Sequence, residues 1–406
     1  MCTDSPACKT VILLERFTTL QKSEGADELT VVMPCLNEAE TLAICVQKAF
    51  AALGENGISG TVIVADNGST DGSQEIARRN GASLVDVPIR GYGAALAAGI
   101  AAAQSRYVLM ADADDSYEFA HIPRFLAELR NGTGLVMGNR FLGGIQPGAM
   151  PFLHKYLGNP VLSLLGRVLF HAPVGDFHCG MRAFSKEGYE RLNLRTTGME
   201  FASEMVVKAS LLGLSMCEVP TTLKPDGRSR APHLRTWRDG WRHLRFMLMY
   251  SPRWLFLYPG LILMVIGTLA SISLEMGQQQ LGRVQFDVDT LVYALACILL
   301  GFHAIVFGVA ARVFAVTEGF SIEDRWLTRL FRCITLETGL IIGGLLVLFS
   351  LAATFMALSM WKQSGFGSLV AEQMLRITLP SATGVVLGAE ICFTSFFLSM
   401  LGLKRR

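Results

Sequence analysis

After Tyr250 the chain carries four long apolar segments, near residues 255–275, 290–311, 338–360 and 379–403, separated by short polar connections. Each approaches the ~20 residues that a helix needs to cross a hydrocarbon core of ~30 Å. No other feature constrains the fold as much. In lipid every backbone N–H and C=O must be satisfied internally, and for continuous apolar runs that leaves the helix as the spanning form. Residues 254–406 are therefore expected to form an all-α transmembrane domain of four helices.

Lys and Arg in the short connections give the orientation. The connection 276–289 holds only Arg283, and 361–378 holds Lys362 and Arg376, whereas 312–337 holds four arginines and the chain ends Lys404, Arg405, Arg406. Both termini are expected in the cytosol, as at a bacterial inner membrane. Residues 1–28 contain Asp4, Lys9, Glu15, Arg16 and Glu24, which interrupt any apolar core of signal-peptide length, so they read as an N-terminal extension.

Residues 228–253, just before the first span, carry seven arginines and two histidines against the single Asp239. Trp237, Trp241, Leu244 and Leu248 recur at helical spacing, the pattern of a basic amphipathic helix on an anionic leaflet. Inside the spans, His303 and Glu390 fall near the expected midplane, where an ionisable group is expensive without a partner, so they are expected to pair between helices two and four. The runs GLIIG (339–343) and GVVLG (384–388) offer close-packing faces, read first as packing within the bundle and second as a homo-oligomer contact.

At 406 residues the chain has room for about two domains. A net charge of +2 gives no argument for nucleic acid, although 26 of the 36 Lys and Arg precede position 254. The nine cysteines form no CxxC pair and none lies at a usual zinc-ligand spacing from a His, which favours a reduced set facing the cytosol.

From residue 29 to about 223, β-rich runs alternate with helical patterns. LTVVMP (29–34), TVIVAD (61–66), SLVDVP (83–88), RYVLMAD (106–112) and GLVMG (134–138) read as buried strands, with helices at 38–54, 71–80, 92–105 and 118–131 between them. That rhythm predicts a mostly parallel, Rossmann-like α/β sheet with its ligands at the carboxyl ends of the strands.

The fourth strand runs into three carboxylates, Asp112, Asp114 and Asp115. Like charges converge there only around something cationic, and two carboxylates suit Mg²⁺ or Mn²⁺ shared with substrate phosphates. Asp-x-Asp alone is common in ordinary turns. Here the first strand also ends in PCLNE, with Pro34, Asn37 and Glu38. The second ends in ADNGSTDG, with Asp66, Ser69 and Asp71. Asp66 can accept a hydrogen bond from a base or ribose, while Ser69, Thr70 and Asp71 also suit a helix cap. RGYGAALAAG (90–99) places Gly93 where backbone can approach a diphosphate at a helix start, but it lacks GxGxxG spacing, which weakens a dehydrogenase reading.

With PCLNE, ADNGSTDG, the DAD triplet, GNRF (138–141) and GDFHCGMRAF (175–184) in this order, residues 29–250 resemble a family 2 glycosyltransferase of the GT-A fold, in particular the polyprenyl (dolichyl or undecaprenyl) phosphate sugar synthases. The resemblance implies a GT-A domain over 29–227. Pro34, Asn37, Glu38, Asp66, Ser69, Asp71, Gly93 and Ala113 would line the nucleotide pocket, and Asp112 and Asp114 would hold the metal and diphosphate. Arg140 would contact phosphate, Asp176 and Arg182 would sit by the reacting centre, and the loop KPDGRSR (224–230), with Arg228 and Arg230, would close over the donor. Such proteins usually show DDGSTDG, and Asn67 departs from that pattern.

The implied reaction moves one sugar, with inversion, from a nucleotide-diphosphate sugar to a polyprenyl phosphate. That acceptor cannot leave the bilayer cheaply at ~0.8 kcal/mol per buried CH₂. The segment 151–170, basic at His154 and Lys155 and then apolar, reads equally as an interfacial helix presenting Lys155 and Arg167 or as an ordinary core helix. Two alternatives stand beside this reading: a processive polysaccharide synthase, whose QxxRW motif is not supplied by RTWRDGW (235–241), and a non-catalytic lipid-sugar flippase or sensor.

Overall fold

The computed structural model describes residues 27–229, 236–317, 335–367 and 371–402. They fall into two compact units, the first within Met1–Leu164, Pro173–Ala209 and Leu214–Asp239, the second within Leu165–Ala172, Ser210–Gly213 and Gly240–Arg406.

The first unit is built on a seven-stranded sheet of order β3-β2-β1-β4-β6-β5-β7. Its strands are β1 Leu29–Cys35, β2 Gly60–Asp66, β3 Ser83–Asp86, β4 Tyr107–Met110, β5 Leu135–Asn139, β6 Arg182–Ser185 and β7 Met216–Pro220. β6 runs antiparallel to both of its neighbours and the other pairings are parallel. The carboxyl ends of β1, β2 and β4 therefore share one edge. Val31, Met33, Val64 and Leu109 pack in the core together with Leu42, Val46, Ala49 and Leu53 of the helix Leu42–Glu55. Ala65, Val87, Ala94 and Ala95 form a separate buried cluster that includes the helix Tyr92–Ala102. Cover on both faces explains the unbroken apolarity of the strands. Pro34 lies where β1 has run past its last pair with β4, Val32 with Met110, so no ladder donor is missed on that side.

The expected strands all form, and β6 and β7 join them. These two have no counterpart in the sequence reading, since runs of 4 and 5 residues are too short to show a period. The first helix begins at Leu42 rather than 38, because residues 37–39 bond to the turn after β2 instead of continuing a helix.

Among its described residues the second unit contains four helices long and apolar enough to cross a membrane, Arg253–Glu275, Val288–Thr317, Leu336–Gln363 and Glu372–Leu401. The first two pack as one hairpin, closed by the short pair β8 Gln279–Leu281 and β9 Val284–Phe286, and the last two pack as another. Both hairpins bring backbone to backbone at glycine. A Cβ on Gly301 would lie 2.6 Å from the Gly260 carbonyl oxygen, and one on Gly388 would lie 2.7 Å from that of Gly343. GLIIG and GVVLG thus meet within the hairpin, where small residues allow dispersion contacts that apolar burial cannot drive in lipid.

His303 Nε2 lies 3.0 Å from Glu390 Oε1, between the second and fourth spans. His303 Nδ1 also lies 2.8 Å from the Leu299 carbonyl oxygen, so both ring nitrogens have a polar neighbour, as an ionisable residue within a span requires. At the membrane-domain edge, Arg376 pairs with Asp287 and with Glu372.

Gly343→Val would force the third and fourth spans apart. We expect a loss of about 1–3 kcal/mol, as for other overpacked contacts, read as a lower unfolding midpoint of the full chain in detergent. Gly344→Val, where a Cβ meets nothing within 4 Å, should leave the midpoint nearly unchanged.

Candidate active site

The turns after β1 and β2 are stitched together by side chains of the two sequence motifs. Asn37 takes a left-handed conformation, φ 59°, tolerated by Asn. Its backbone N–H donates to Ser69 Oγ at 2.8 Å, and its Oδ1 accepts from the Thr70 N–H at 2.7 Å. The Glu38 N–H donates to Ser73 Oγ at 3.0 Å and the Ala39 N–H to Asp71 Oδ2 at 2.9 Å. Burial opposes ionisation of Asp71, but hydrogen bonds from Ser73 and Ala39 outweigh it and hold its carboxyl below the usual range. Asp66, buried at the end of β2, accepts from the N–H groups of Gly68 and Ser69 and from Gln74 Nε2 at 2.7 Å. Ser69, Asp71 and Asp66 thus shape the turn after β2 through their own hydrogen bonds.

Asn67, the departure from the acidic pattern, is fully employed. Its Nδ2 donates to the carbonyls of Val87 and Ile89 at 3.2 and 2.8 Å, and its Oδ1 accepts from the Gly91 N–H at 2.7 Å. An aspartate has no donor for the two carbonyls. The amide ties the end of β2 to the segment that starts the helix Tyr92–Ala102.

The three carboxylates that follow β4 part company. β4 ends at Met110, and Asp115 turns to Lys48 at 2.6 Å. Asp114 accepts from Ser116 Oγ at 2.6 Å and, through Oδ2, from Arg228 at 3.0 Å. Asp112 Oδ1 accepts from the Tyr92 hydroxyl at 2.9 Å. Burial, then the charge on Asp114, pushes the Asp112 carboxyl up to about 6, against a lowering pull from Tyr92, Arg228 and Arg140. The Ala113 carbonyl accepts from Thr41 Oγ1 at 2.6 Å, which anchors the motif to the turn after β1.

Arg228 occupies the centre of the acidic edge. Its guanidinium contacts Glu38 at 3.1 Å, Asp114 at 3.0 Å and Asp226 at 2.8 Å. Burial works against the charge, but the Asp226 hydrogen bond and the charges of Asp114 and Glu38 raise its pKa above the ordinary value. The loop that carries it is fastened by Gly227 N–H to the Asp114 carbonyl at 3.0 Å, by Lys224 to Glu118, and by Ser229 N–H to Glu40 at 2.7 Å. Arg230 lies outside the described residues.

This edge suits a hard divalent cation. Its donors are carboxylate oxygens, and a guanidinium already bridges three of them. Among the described residues no three His, Cys, Asp or Glu side chains gather to cage a metal. Two carboxylates plus substrate phosphate is the usual arrangement for such an ion.

Asp176, Arg140 and Arg182 are buried and bonded to groups of the protein itself. Asp176 is fully buried and receives Arg140 in a fork, Nε at 2.7 Å and Nη2 at 2.8 Å, together with the Arg140 backbone N–H at 3.0 Å. Glu218 holds the Gly175 and Asp176 N–H groups at 2.7 and 3.0 Å. Arg182 is fully buried and donates to the carbonyls of Cys179 and Ala202. A forked buried pair and a backbone brace are structural tasks that two short motifs cannot reveal, because each needs its distant partner. A Cβ on Gly93 would lie 2.7 Å from both Phe201 Cβ and the Thr196 carbonyl oxygen, so the helix start packs closely there.

Residues 30–192 match the family described as glycosyl transferase family 2, and residues 309–402 match the glycosyltransferase family 2 C-terminal transmembrane region. The low-salt glycan biosynthesis hexosyltransferase Agl6 of Haloferax volcanii is 38% identical over 385 residues, 94% of this chain and 90% of that protein. The chain belongs to glycosyltransferase family 2. A dolichyl-phosphate hexose transferase of the same organism is 30% identical over 195 residues, covering 48% of this chain and 82% of that one. Among solved structures, glucosyl-3-phosphoglycerate synthase from Mycobacterium tuberculosis, in complex with Mn²⁺, UDP and glucosyl-3-phosphoglycerate, is 22% identical, covers 55% of this chain and 78% of that one, and superposes with a TM-score of 0.42.

This family 2 glycosyltransferase is thus an integral membrane enzyme with a mostly parallel α/β domain. Sequence reasoning alone passed over Tyr92, Glu218 and Thr41. Tyr92 had one visible signal, an aromatic residue between two glycines at a helix start.

Removing Asp176 leaves Arg140 buried and unpaired, which costs roughly 3–5 kcal/mol. Asp176→Ala should therefore lower the unfolding midpoint sharply along with turnover. A normal midpoint with abolished turnover would instead make Asp176 a participant in the chemistry. Asn67→Asp puts a carboxylate against two carbonyls and should cost about 1–3 kcal/mol by leaving them unsatisfied, read in the same unfolding assay.

Proposed function

We propose that this enzyme transfers a single hexose from a nucleotide-diphosphate sugar, UDP- or GDP-linked, to a polyprenyl phosphate at the cytosolic leaflet, with inversion. The observation that carries the reading is the acidic edge formed by Glu38, Asp114 and Asp226 around Arg228, beside Asp112 and the stitched turns after β1 and β2. The relatives named as hexosyltransferase and dolichyl-phosphate hexose transferase support the same class of reaction. The polar turns offer a place for the nucleotide, with Asn37, Glu38 and Asp66 at the carboxyl ends of β1 and β2.

Asp112 and Asp114 would hold Mg²⁺ or Mn²⁺, which when bound would supply electrostatic stabilisation of the departing diphosphate. Arg228 is the protein's own cation at the same edge. Its guanidinium would serve the diphosphate oxygens, where developing negative charge is greatest. The acceptor needs little activation, because a phosphate monoester with a second pKa near ~6 is largely dianionic at neutral pH. Asp176, bound in a fork to Arg140, is accordingly assigned to holding the loop 175–182 and not to removing a proton. With the acceptor phosphate as the attacking group, a single displacement inverts the anomeric centre.

The acceptor lipid stays in the bilayer, and two segments support its use. Phe152, 78% exposed, is followed by exposed Tyr156, Leu157, Val161 and Leu164, with Lys155 over the Tyr156 ring at 5.5 Å. In the helix Thr236–Met249, Trp237 is 80% exposed and Trp241 also lies open. Exposed aromatic and aliphatic side chains beside basic residues are what an interfacial helix requires.

The test is to incubate the purified full chain with Mg²⁺ or Mn²⁺, undecaprenyl or dolichyl phosphate, and a panel of UDP- and GDP-sugars, and to weigh the lipid product. One added hexose is expected; a polymer would indicate a processive synthase, and no product with any donor would sink the proposal. Asp114→Asn should retain the unfolding midpoint and lose turnover by roughly 10²–10³-fold, the scale of one lost electrostatic stabiliser.

A further inference from the structure

The Tyr92 hydroxyl is the only hydrogen-bond partner of Asp112 among the described residues, at 2.9 Å. Its place is fixed from behind. The helix Tyr92–Ala102 starts hard against the segment 196–201: a Cβ on Gly91 would lie 2.2 Å from the Thr197 carbonyl oxygen, and the Ala94 N–H donates to that same oxygen at 3.0 Å. Asn67 grips the Gly91 N–H from the other side at 2.7 Å. The two glycines flanking Tyr92 therefore let the helix start sit close enough for the hydroxyl to reach β4's end.

The carboxylate is confined on its opposite side as well. A Cβ on Gly180 would fall 2.5 Å from Asp112 Oδ2 and 3.1 Å from the Tyr117 hydroxyl. Tyr117 in turn receives the Gly180 N–H at 2.8 Å, which holds that backbone in place. Asp112 is thus held between a donor on Oδ1 and a bare Cα beside Oδ2, before any ligand binds.

We infer that Tyr92 is a positioning residue for the reaction, whose hydroxyl, working against the wall at Gly180, fixes the orientation of the Asp112 carboxylate for a divalent cation. The inference rests on the proposed metal-holding role of Asp112. Partners one step beyond a metal ligand orient it, and removing them typically lowers metal affinity roughly 10–100-fold. Tyr92→Phe keeps the ring and deletes only the donor, which separates this role from simple packing.

The experiment measures Mn²⁺ binding to the full chain in detergent by electron paramagnetic resonance, with UDP in one series and GDP in another. Tyr92→Phe should weaken Mn²⁺ binding roughly 10-fold or more, with nucleotide binding in the absence of metal unchanged. In turnover, the Mn²⁺ requirement should rise by the same factor while kcat at saturating Mn²⁺ changes much less. In an Asp112→Asn background the Tyr92→Phe change should have no further effect. Gly180→Ala, which leaves the hydroxyl but displaces the carboxylate, should reproduce the loss and serves if Tyr92→Phe does not fold. Wild-type Mn²⁺ affinity in folded Tyr92→Phe would overturn the inference while leaving the metal reading intact. Failure of the wild type to bind Mn²⁺ with either nucleotide would overturn both.

Discussion

Carboxylates gathered at the ends of parallel strands repel one another, and the first unit is organised around relieving that repulsion. Each of the three acids after β4 has its own remedy: a lysine for Asp115, a guanidinium for Asp114 and a neutral hydroxyl for Asp112. The remedies differ in permanence. Lys48 belongs to a core helix, whereas Arg228 is carried on a loop fastened by a few hydrogen bonds and ion pairs. A cation carried on a loop is held by fewer contacts than one on a core helix.

The rest of the domain makes the edge rigid. The turns after β1 and β2 hold each other through Asn37, Ser69, Asp71 and Ser73, so neither can shift without breaking several bonds at once. Behind them, the Arg140–Asp176 fork and the Glu218 contacts fix the loop 175–182, which places Gly180 against Asp112. Buried charge of this kind adds little net stability, but breaking one partner is costly, so it enforces a single arrangement. The membrane unit follows a different rule. With no apolar driving force between helices in lipid, its hairpins rely on glycine-mediated backbone contact, and His303 meets Glu390 between the second and fourth spans.

The periodicities and charge patterns that depend on near neighbours were legible in the chain itself. Four spans follow from hydropathy, the parallel sheet from alternating β-rich and helical runs, the acidic edge from DAD after an apolar strand, and the meeting of His303 with Glu390 from the cost of an unpartnered charge in lipid. Several tasks were not legible. Asp176 and Arg140 lie 36 positions apart, and each alone resembles a residue waiting for substrate. The close packing of Gly93 against Phe201 has no local signature. Asn67 looks like a lost acid until its amide is seen to serve two carbonyls and one N–H.

Local sequence by itself determined that this chain carries four segments long and apolar enough to cross a membrane and raises a cluster of acids at the end of a buried strand, because hydropathy and strand pattern are properties of adjacent residues. Which acids remain open to a ligand was decided only by the tertiary structure. A hydrogen bond between residues 20 or 114 positions apart, such as Tyr92 with Asp112 or Arg228 with Asp114, exists only once the sheet and its crossovers have brought them within 3 Å.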